Sequence, residues 1–304
     1  MPNLRHTKPY TQQFRFIVTR EHAGLSLIDF YNRRFSFRSA DYWVGLMCSG
    51  AITVNQQGVA PDYRLKQDDV IITRRDDVEE PDVADGYQIL FEDKGLLVID
   101  KPAPLPVHPA GRYYKNSLIY ILREKFPEKK FHTIHRIDTW TTGVLVMATE
   151  DETARFLHMQ VERQQIKKEY GVLAVGDFGE SEFIIDEPVG RIDGAHRGTG
   201  PLITDPKESR TIFTPLAKKG AISFLKAEPL TGRTNQIRVH LKARGGHVLN
   251  DPLYAPSPQT AIPFMGLHCR RMTFRPAKDT DPVAFEAPWP GHFKKYFNVQ
   301  AFQS

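Results

Sequence analysis

The sequence predicts an α+β protein: a mixed, largely antiparallel sheet with flanking helices and loops, preceded by a small basic α/β module. Three observations lead there. Beyond residue 86, short strand-like runs outnumber helix-like ones, and most are joined by turn residues without the helical crossover of a βαβ unit. An acidic stretch with a proline, residues 76–86, divides the chain. The 304 residues, 40% of them hydrophobic, can fill one large core and a smaller one.

Taken in order, residues 1–75 form the basic module. Phe14 to Thr19 reads as a strand, and Leu25, Leu27, Ile28 and Phe30 as the apolar face of a short helix. Phe37 to Met47 suggests a second helix, and Gly50-Ala51 turns into a strand at Ile52 to Asn55. Leu65 to Val70 leads into a further strand at Ile71 to Thr73. Between 76 and 86, Asp76, Asp77, Glu79, Glu80, Asp82 and Asp85 crowd around Pro81. Burying such a run would cost too much desolvation, so a solvated linker is expected.

The main domain, 87–304, opens with strands at Tyr87 to Phe91 and Leu96 to Ile99 around Glu92-Asp93-Lys94-Gly95. Four prolines between Lys101 and Pro109 exclude a regular helix and predict a rigid loop. Leu118 to Phe126 is a helix candidate, and Val144 to Met147 has the apolar, β-branched texture of a buried strand. Thr149 and Glu152 have capping-box spacing at the head of a helix running through Ala154, Leu157 and Val161. Strand-like runs follow at Glu169 to Val175, Glu182 to Asp186, Arg210 to Pro215 and Ala221 to Ala227. Gln236 to Ala243 predicts a helix capped by Thr234; Leu267 to Phe274 is a strand and Pro290 to Phe297 a short terminal helix.

Composition narrows the function classes. A formal charge of +5, concentrated in Arg5, Lys8, Arg15 and Arg20 before the first acid, favours a polyanionic partner. Cys48 and Cys269 are too few for a disulfide scaffold or a thiolate zinc site, which points to a reducing compartment, the cytoplasm by default. No apolar run is long enough to span a membrane, and no signal-peptide pattern is seen near the start. A nucleotide fingerprint, a zinc motif and a serine nucleophile elbow are all missing, so neither cofactor nor metal is expected. His132 and His135, close in sequence, read as packed histidines rather than ligands.

Three polar knots remain. His135-Arg136-Ile137-Asp138-Thr139-Trp140-Thr141-Thr142-Gly143 sets an isolated acid against a strand. Asp138 reads either as a turn acceptor or as a catalyst held by a rigid element. Thr231-Gly232-Arg233-Thr234-Asn235-Gln236-Ile237-Arg238-Val239-His240 places Arg233 in a loop before a helix, where its fork of donors could orient Asp138, form a structural salt bridge or clamp a phosphate. Lys168-Glu169-Tyr170 puts a tyrosine at the mouth of a strand, either as packing or as a surface for a base.

These knots resemble, in order, the aspartate, arginine and tyrosine motifs of the RluA class of pseudouridine synthases. Lys101-Pro102-Ala103-Pro104-Leu105-Pro106-Val107-His108-Pro109, Asp251-Pro252-Leu253-Tyr254 and Leu267-His268-Cys269-Arg270-Arg271-Met272-Thr273-Phe274 add to the resemblance, which spans about 87–276. Thr142, Ile137, Asn235 and Pro104 stand where the family usually has Ser, Leu, His and Gly. Residues before 76 resemble the S4 RNA-binding fold, through Arg38-Ser39-Ala40 and Gly50-Ala51-Ile52-Thr53-Val54-Asn55 followed by Asp68-Asp69-Val70-Ile71, although Gln56-Gln57 departs from the usual glycine.

The resemblance implies cofactor-free isomerisation of uridine in RNA, ribosomal RNA ahead of transfer RNA, by a monomer. It implies Asp138 as the catalytic carboxylate, Arg233 as its ion-pair partner and Tyr170 as the residue packed on uracil. Arg136, with His135 nearby, would fill the place of the flipped nucleotide. Arg38, Lys101, Arg112 and Lys168 are further candidates for RNA contact. The alternatives are an inactive RNA-binding protein on the same fold and an N-glycoside hydrolase, which would want a second carboxylate.

Overall fold

The structure, a computed structural model, describes residues 3–36, 38–93, 95–194, 196–256 and 264–299. It separates into two compact units, Thr7–Glu80 and Met1–His6 with Pro81–Ser304.

The first strand, β1 (Leu4–Arg5), belongs to the larger unit. The smaller unit then runs β2 (Tyr10–Ile17), α1 (Leu27–Arg34), α2 (Ala40–Cys48), β3 (Ile52–Val54) and β4 (Val70–Val78), with its strands ordered β2-β4-β3, all antiparallel. Ser26 caps α1, its hydroxyl accepting from Asp29 N at 3.1 Å, and Ser39 stands at the start of α2. Phe30, Tyr31, Trp43 and Met47 pack on Ile52 and Ile71 to form this unit's core. Phe37, the expected start of the second helix, lies outside the described residues.

The stretch 76–86 is not a free linker. Strand β4 continues through Asp76 and Asp77 to Val78, and Asp76 accepts from Thr11 Oγ1 at 2.7 Å and Arg74 Nε at 2.8 Å. Asp76, Asp77, Glu79, Asp82 and Asp85 stay in water while the backbone pairs, and the one buried acid, Glu80, accepts from the Tyr10 hydroxyl, so the desolvation argument fails here. Strand β5 (Val83–Ala84) is wholly buried and pairs with β1, using the apolar residues of the same stretch.

The larger unit continues with the hairpin β6 (Gln88–Asp93) and β7 (Leu96–Lys101), then α3 (Leu118–Lys125), β8 (His132–Thr133) and β9 (Thr142–Ala148). Lys94, in the expected turn, lies outside the described residues. Helix α4 (Asp151–Glu162) starts from Glu150 without a side-chain cap; Thr149 instead donates its N–H to Gly95 O at 2.7 Å, so the capping box does not form. Then come β10 (Lys167–Val175), β11 (Phe183–Ile185), β12 (Val189–Asp193), β13 (His196–Gly198) and β14 (Thr204–Lys207). These last three form a separate antiparallel sheet that no strand pattern announced. The chain closes with β15 (Thr211–Lys219), β16 (Ile222–Pro229), α5 (Gln236–Ala243), β17 (His247–Val248), β18 (Leu267–Phe274), β19 (Val283–Glu286) and α6 (Gly291–Tyr296).

The main sheet is ordered β11-β15-β16-β10-β18-β9-β7-β6, and among the described pairs only β9 with β18 is parallel. One row crosses its middle: Ala227, Tyr170, Cys269, Gly143 and Lys101 are successive partners on β16, β10, β18, β9 and β7. Partners in a row face the same side, so Tyr170 and Lys101 share a face across the gap left by Gly143. That gap is required. Gly143 has φ +105°, and a Cβ there would lie 2.1 Å from the Cys269 carbonyl oxygen.

Candidate active site

The aspartate loop is held from both sides before β9 begins. Thr141 N donates to Asp138 O at 3.0 Å, closing a turn, and Leu105 N donates to Thr139 O at 2.8 Å, tying that turn to the proline loop. Lys101 lies beneath. It is fully buried, and its ammonium donates to the carbonyls of Pro102 and Leu105, both at 2.8 Å, and of Thr139 at 3.4 Å. Burial pulls its pKa down to about 7, against the attraction of Asp138 and Asp100. Lys101 is therefore a strut between two loops and cannot touch RNA. The expectation of an RNA contact there failed because residue type was read without burial.

Asp138 reaches a cleft of about 270 Å³, near the lower end of ligand pockets at roughly 300 Å³. Its Oδ2 accepts from Arg238 Nη1 at 2.7 Å, while Oδ1 has no hydrogen-bond partner among the described residues. The ion-pair partner is thus Arg238 and not Arg233. Arg233 lines the same cleft from the loop, but its Nε donates to Glu208 O at 2.9 Å and its backbone N to Gln236 Oε1 at 2.9 Å. Helix α5 starts at Gln236, so a residue in its first turn points inward where a residue in the preceding loop does not.

Arg238 is built for the task. Its Nε and Nη2 engage both oxygens of Asp251 at 2.8 Å, and Nη1 is shared between Asp138 and Asn235 Oδ1, the latter at 2.9 Å. Burial opposes its charge, yet the two carboxylates more than compensate and raise its pKa above the usual guanidinium value. Asp251 is itself fully buried and accepts the N–H groups of Leu253 at 2.9 Å and Tyr254 at 3.0 Å. The Tyr254 ring stands 5.0 Å from the Arg238 guanidinium, and its hydroxyl accepts from Asn235 Nδ2 at 3.0 Å. Asn235, not Thr234, occupies the N-cap position of α5, at φ +58°. Asparagine tolerates that left-handed conformation better than most side chains, which fits its presence at this position.

Tyr170 lines the cleft and is buried beside Cys269. Burial, with Cys269 and Asp138 nearby, holds its phenol well above the ordinary pKa, so it remains a neutral O–H. That suits a packing surface better than a base. Lys168 also lines the cleft, its pKa lowered by burial despite the adjacent Cys269 thiol. Arg136 spans the two loops, its Nη2 donating to Thr234 Oγ1 at 3.1 Å, and is exposed at the cleft. His135 accepts from Val146 N at its Nε2, 3.0 Å away, which assigns the ring proton to Nδ1. Burial drops its pKa to about 3, so it enters the cleft wall as a neutral ring. Arg112 is exposed outside the cleft, and Arg38 belongs to the smaller unit, its guanidinium 5.0 Å from the Tyr42 ring.

The structure thus gathers Asp138, Tyr170, Arg233, Arg136, His135 and Lys168 around one cleft. It adds Arg238, Asn235, Asp251 and Tyr254, which sequence reasoning passed over as functional residues. One signal could have found Arg238: a charge set among Ile237, Val239 and Leu241 on a short helix must be buried with a partner, and Asp251 is an isolated acid on a turn.

Residues 95–243 match the family described as RNA pseudouridylate synthase. The mouse pseudouridylate synthase RPUSD2 is 34% identical over 254 residues, covering 83% of this chain and 45% of that protein. RNA pseudouridine synthase 7 of Arabidopsis thaliana is 33% identical over 258 residues, covering 82% of this chain and 65% of its own length. The solved structure of human RNA pseudouridylate synthase domain containing 1 superposes with a TM-score of 0.58 at 27% identity, over 67% of this chain and 84% of that one. The chain spans about half the length of the RPUSD2 relative. The chain is thus similar to these enzymes over most of its length, and residues 95–243 match the family's model.

Proposed function

We propose that this chain isomerises uridine in RNA to pseudouridine, with Asp138 as the essential carboxylate. The observation that carries the reading is the geometry of that carboxylate: one oxygen sits on a buried guanidinium, and the other has no hydrogen-bond partner among the described residues, beside a cleft of about 270 Å³. The reaction breaks the N1–C1′ bond, turns the base and joins C5 to C1′, with no net change in atoms. It needs one ionised group near the ribose and a surface on which uracil can turn. Arg238 orients the first, and the neutral Tyr170 face supplies the second. The target nucleotide must leave its stack to reach them, and Arg136, exposed at the cleft mouth, is placed to occupy the vacated site.

The RNA class follows the weaker signals. The smaller unit, balanced in charge as a whole but with Arg15, Arg20, Arg33, Arg34 and Arg38 in its first half, we assign as an S4-like holding module, which suits ribosomal RNA first and transfer RNA second. A glycoside-hydrolase reading is disfavoured because Asp138 is the one acid among the described residues lining the cleft, and Asp251 is sealed away.

The test incubates the protein with ribosomal and transfer RNA carrying tritium at uracil C5. Tritium release by the wild type, lost in Asp138→Asn with RNA affinity kept within about tenfold, roughly 1.4 kcal/mol, is the expected result. Free uracil would indicate hydrolysis, and binding without release an inactive RNA-binding protein; either outcome overturns the proposal.

A further inference from the structure

A second cavity, of about 450 Å³, lies away from the catalytic cleft between α4 and the turn that follows β18. Phe156, Met159, Phe274 and Pro282 supply its apolar wall. Three cations edge it, Arg163, Arg275 and Lys278, against a single acid, Asp279. All three are exposed, and none has a side-chain hydrogen bond or ion pair among the described residues. This is unlike many other cations of the larger unit: Lys129, Lys130, Lys218, Lys226, Arg270 and Arg271 each meet a carboxylate.

The backbone that carries these charges is anchored. Gln160, 2% exposed, accepts from Arg275 N at 3.0 Å and donates to Arg275 O at 2.8 Å, pinning the end of β18 to α4. The next turn is closed by Thr280 Oγ1, which donates to Ala277 O at 2.8 Å and accepts from Ala277 N at 3.3 Å. The C-terminus of α4 opposes an anion with about half a negative charge, and Asp279 with a full one. Three cations outweigh both, leaving a net charge of roughly +1.5 on a prebuilt concavity.

We propose that this cavity is a second RNA-holding site, its three cations receiving backbone phosphates of the same RNA whose uridine enters the cleft. The inference rests on the reading that RNA is the substrate. Strand β18 links the two places: Leu267 lines the cleft, Phe274 the cavity, and seven residues of strand span roughly 23 Å. That distance lies within the footprint of one folded RNA segment. Contacts of this kind position the RNA without reading its sequence.

The test is a triple substitution, Arg163→Ala with Arg275→Ala and Lys278→Ala, against a control that removes three exposed cations elsewhere: Lys219→Ala, Lys294→Ala and Lys295→Ala. Bulk transfer RNA and ribosomal RNA fragments are the probes, and affinity is read by titration at several salt concentrations. The cavity variant should lose about tenfold in affinity at 0.1 M salt, its log–log salt slope falling by roughly two to three, with turnover at saturating RNA unchanged. The control should move neither quantity as far. An unchanged salt slope, or an equal loss in the control, overturns the proposal. So does binding of inorganic phosphate in the cavity, followed by 31P line broadening, when RNA affinity is indifferent to the triple substitution. Because affinity is measured apart from tritium release, a failure of the cavity site is distinguishable from a failure of the isomerase reading.

Discussion

Arg238 joins two aspartates from different parts of the chain, Asp138 one hundred residues before it and Asp251 thirteen after, using three nitrogens at 2.7 to 2.8 Å. The buried Asp251 fixes the guanidinium, and the guanidinium fixes the exposed edge of Asp138. A planar fork can serve both at once; an ammonium cannot.

Replacing Arg238 by Lys should therefore cost about 10²-fold in turnover, roughly 2.7 kcal/mol, in a folded protein. Arg238→Met should lower stability by about 3–5 kcal/mol, since Asp251 would be left buried without its partner. Arg233→Lys should keep turnover within about tenfold. Tritium-release rates and thermal midpoints measured side by side decide the matter, and a reversed order between the two lysine variants would sink the assignment.

Lys101→Met should leave RNA affinity unchanged, because the ammonium never reaches the surface. It should instead loosen the turn through Thr139, losing turnover together with about 1–3 kcal/mol of stability as three carbonyls lose a donor. Filter binding and chemical denaturation report the two effects separately. A selective loss of RNA affinity would restore the direct-contact reading.

Gly143→Ala should prevent folding or cost roughly 3 kcal/mol or more, through both the clash with the Cys269 carbonyl and the left-handed φ. Soluble yield and circular dichroism are sufficient readouts. A stable, native-like alanine variant would mean that β9 and β18 do not approach as closely as described.

Acid should weaken the protein through His268. It is buried, its Nδ1 lies 2.8 Å from Thr142 Oγ1, and burial pulls its pKa down to about 3. The unfolded chain takes up a proton near pH 6.5 and the folded one does not until about pH 3, so stability is intact above 6.5 and falls as pH drops through that window. Each such histidine contributes about 1.4 kcal/mol per pH unit, and His268→Gln should remove one proton's worth from the slope between pH 6.5 and 5. Urea titrations at stepped pH measure this; an unchanged slope would refute it.

Much of this protein can be read from residue pattern alone, and for local reasons. Val144 to Met147 announces a buried strand, Leu267 to Phe274 another, and Gln236 to Ala243 a helix whose bounds the structure reproduces. Periodicity and apolar texture are properties of neighbours along the chain, as are the polar knots that bring Asp138, Tyr170 and Arg136 to notice. Pairing and burial are not. Which arginine meets Asp138 depends on the inward direction of α5's first turn, and Lys101 is a strut only because Pro102, Leu105 and Thr139 turn their carbonyls toward it. The strand through Asp76 and Asp77 escaped notice because charge foretells solvent contact but not whether a backbone finds a partner. Tertiary structure decided those points, since a side chain's partner is set by groups tens of residues away whose distance no local pattern records.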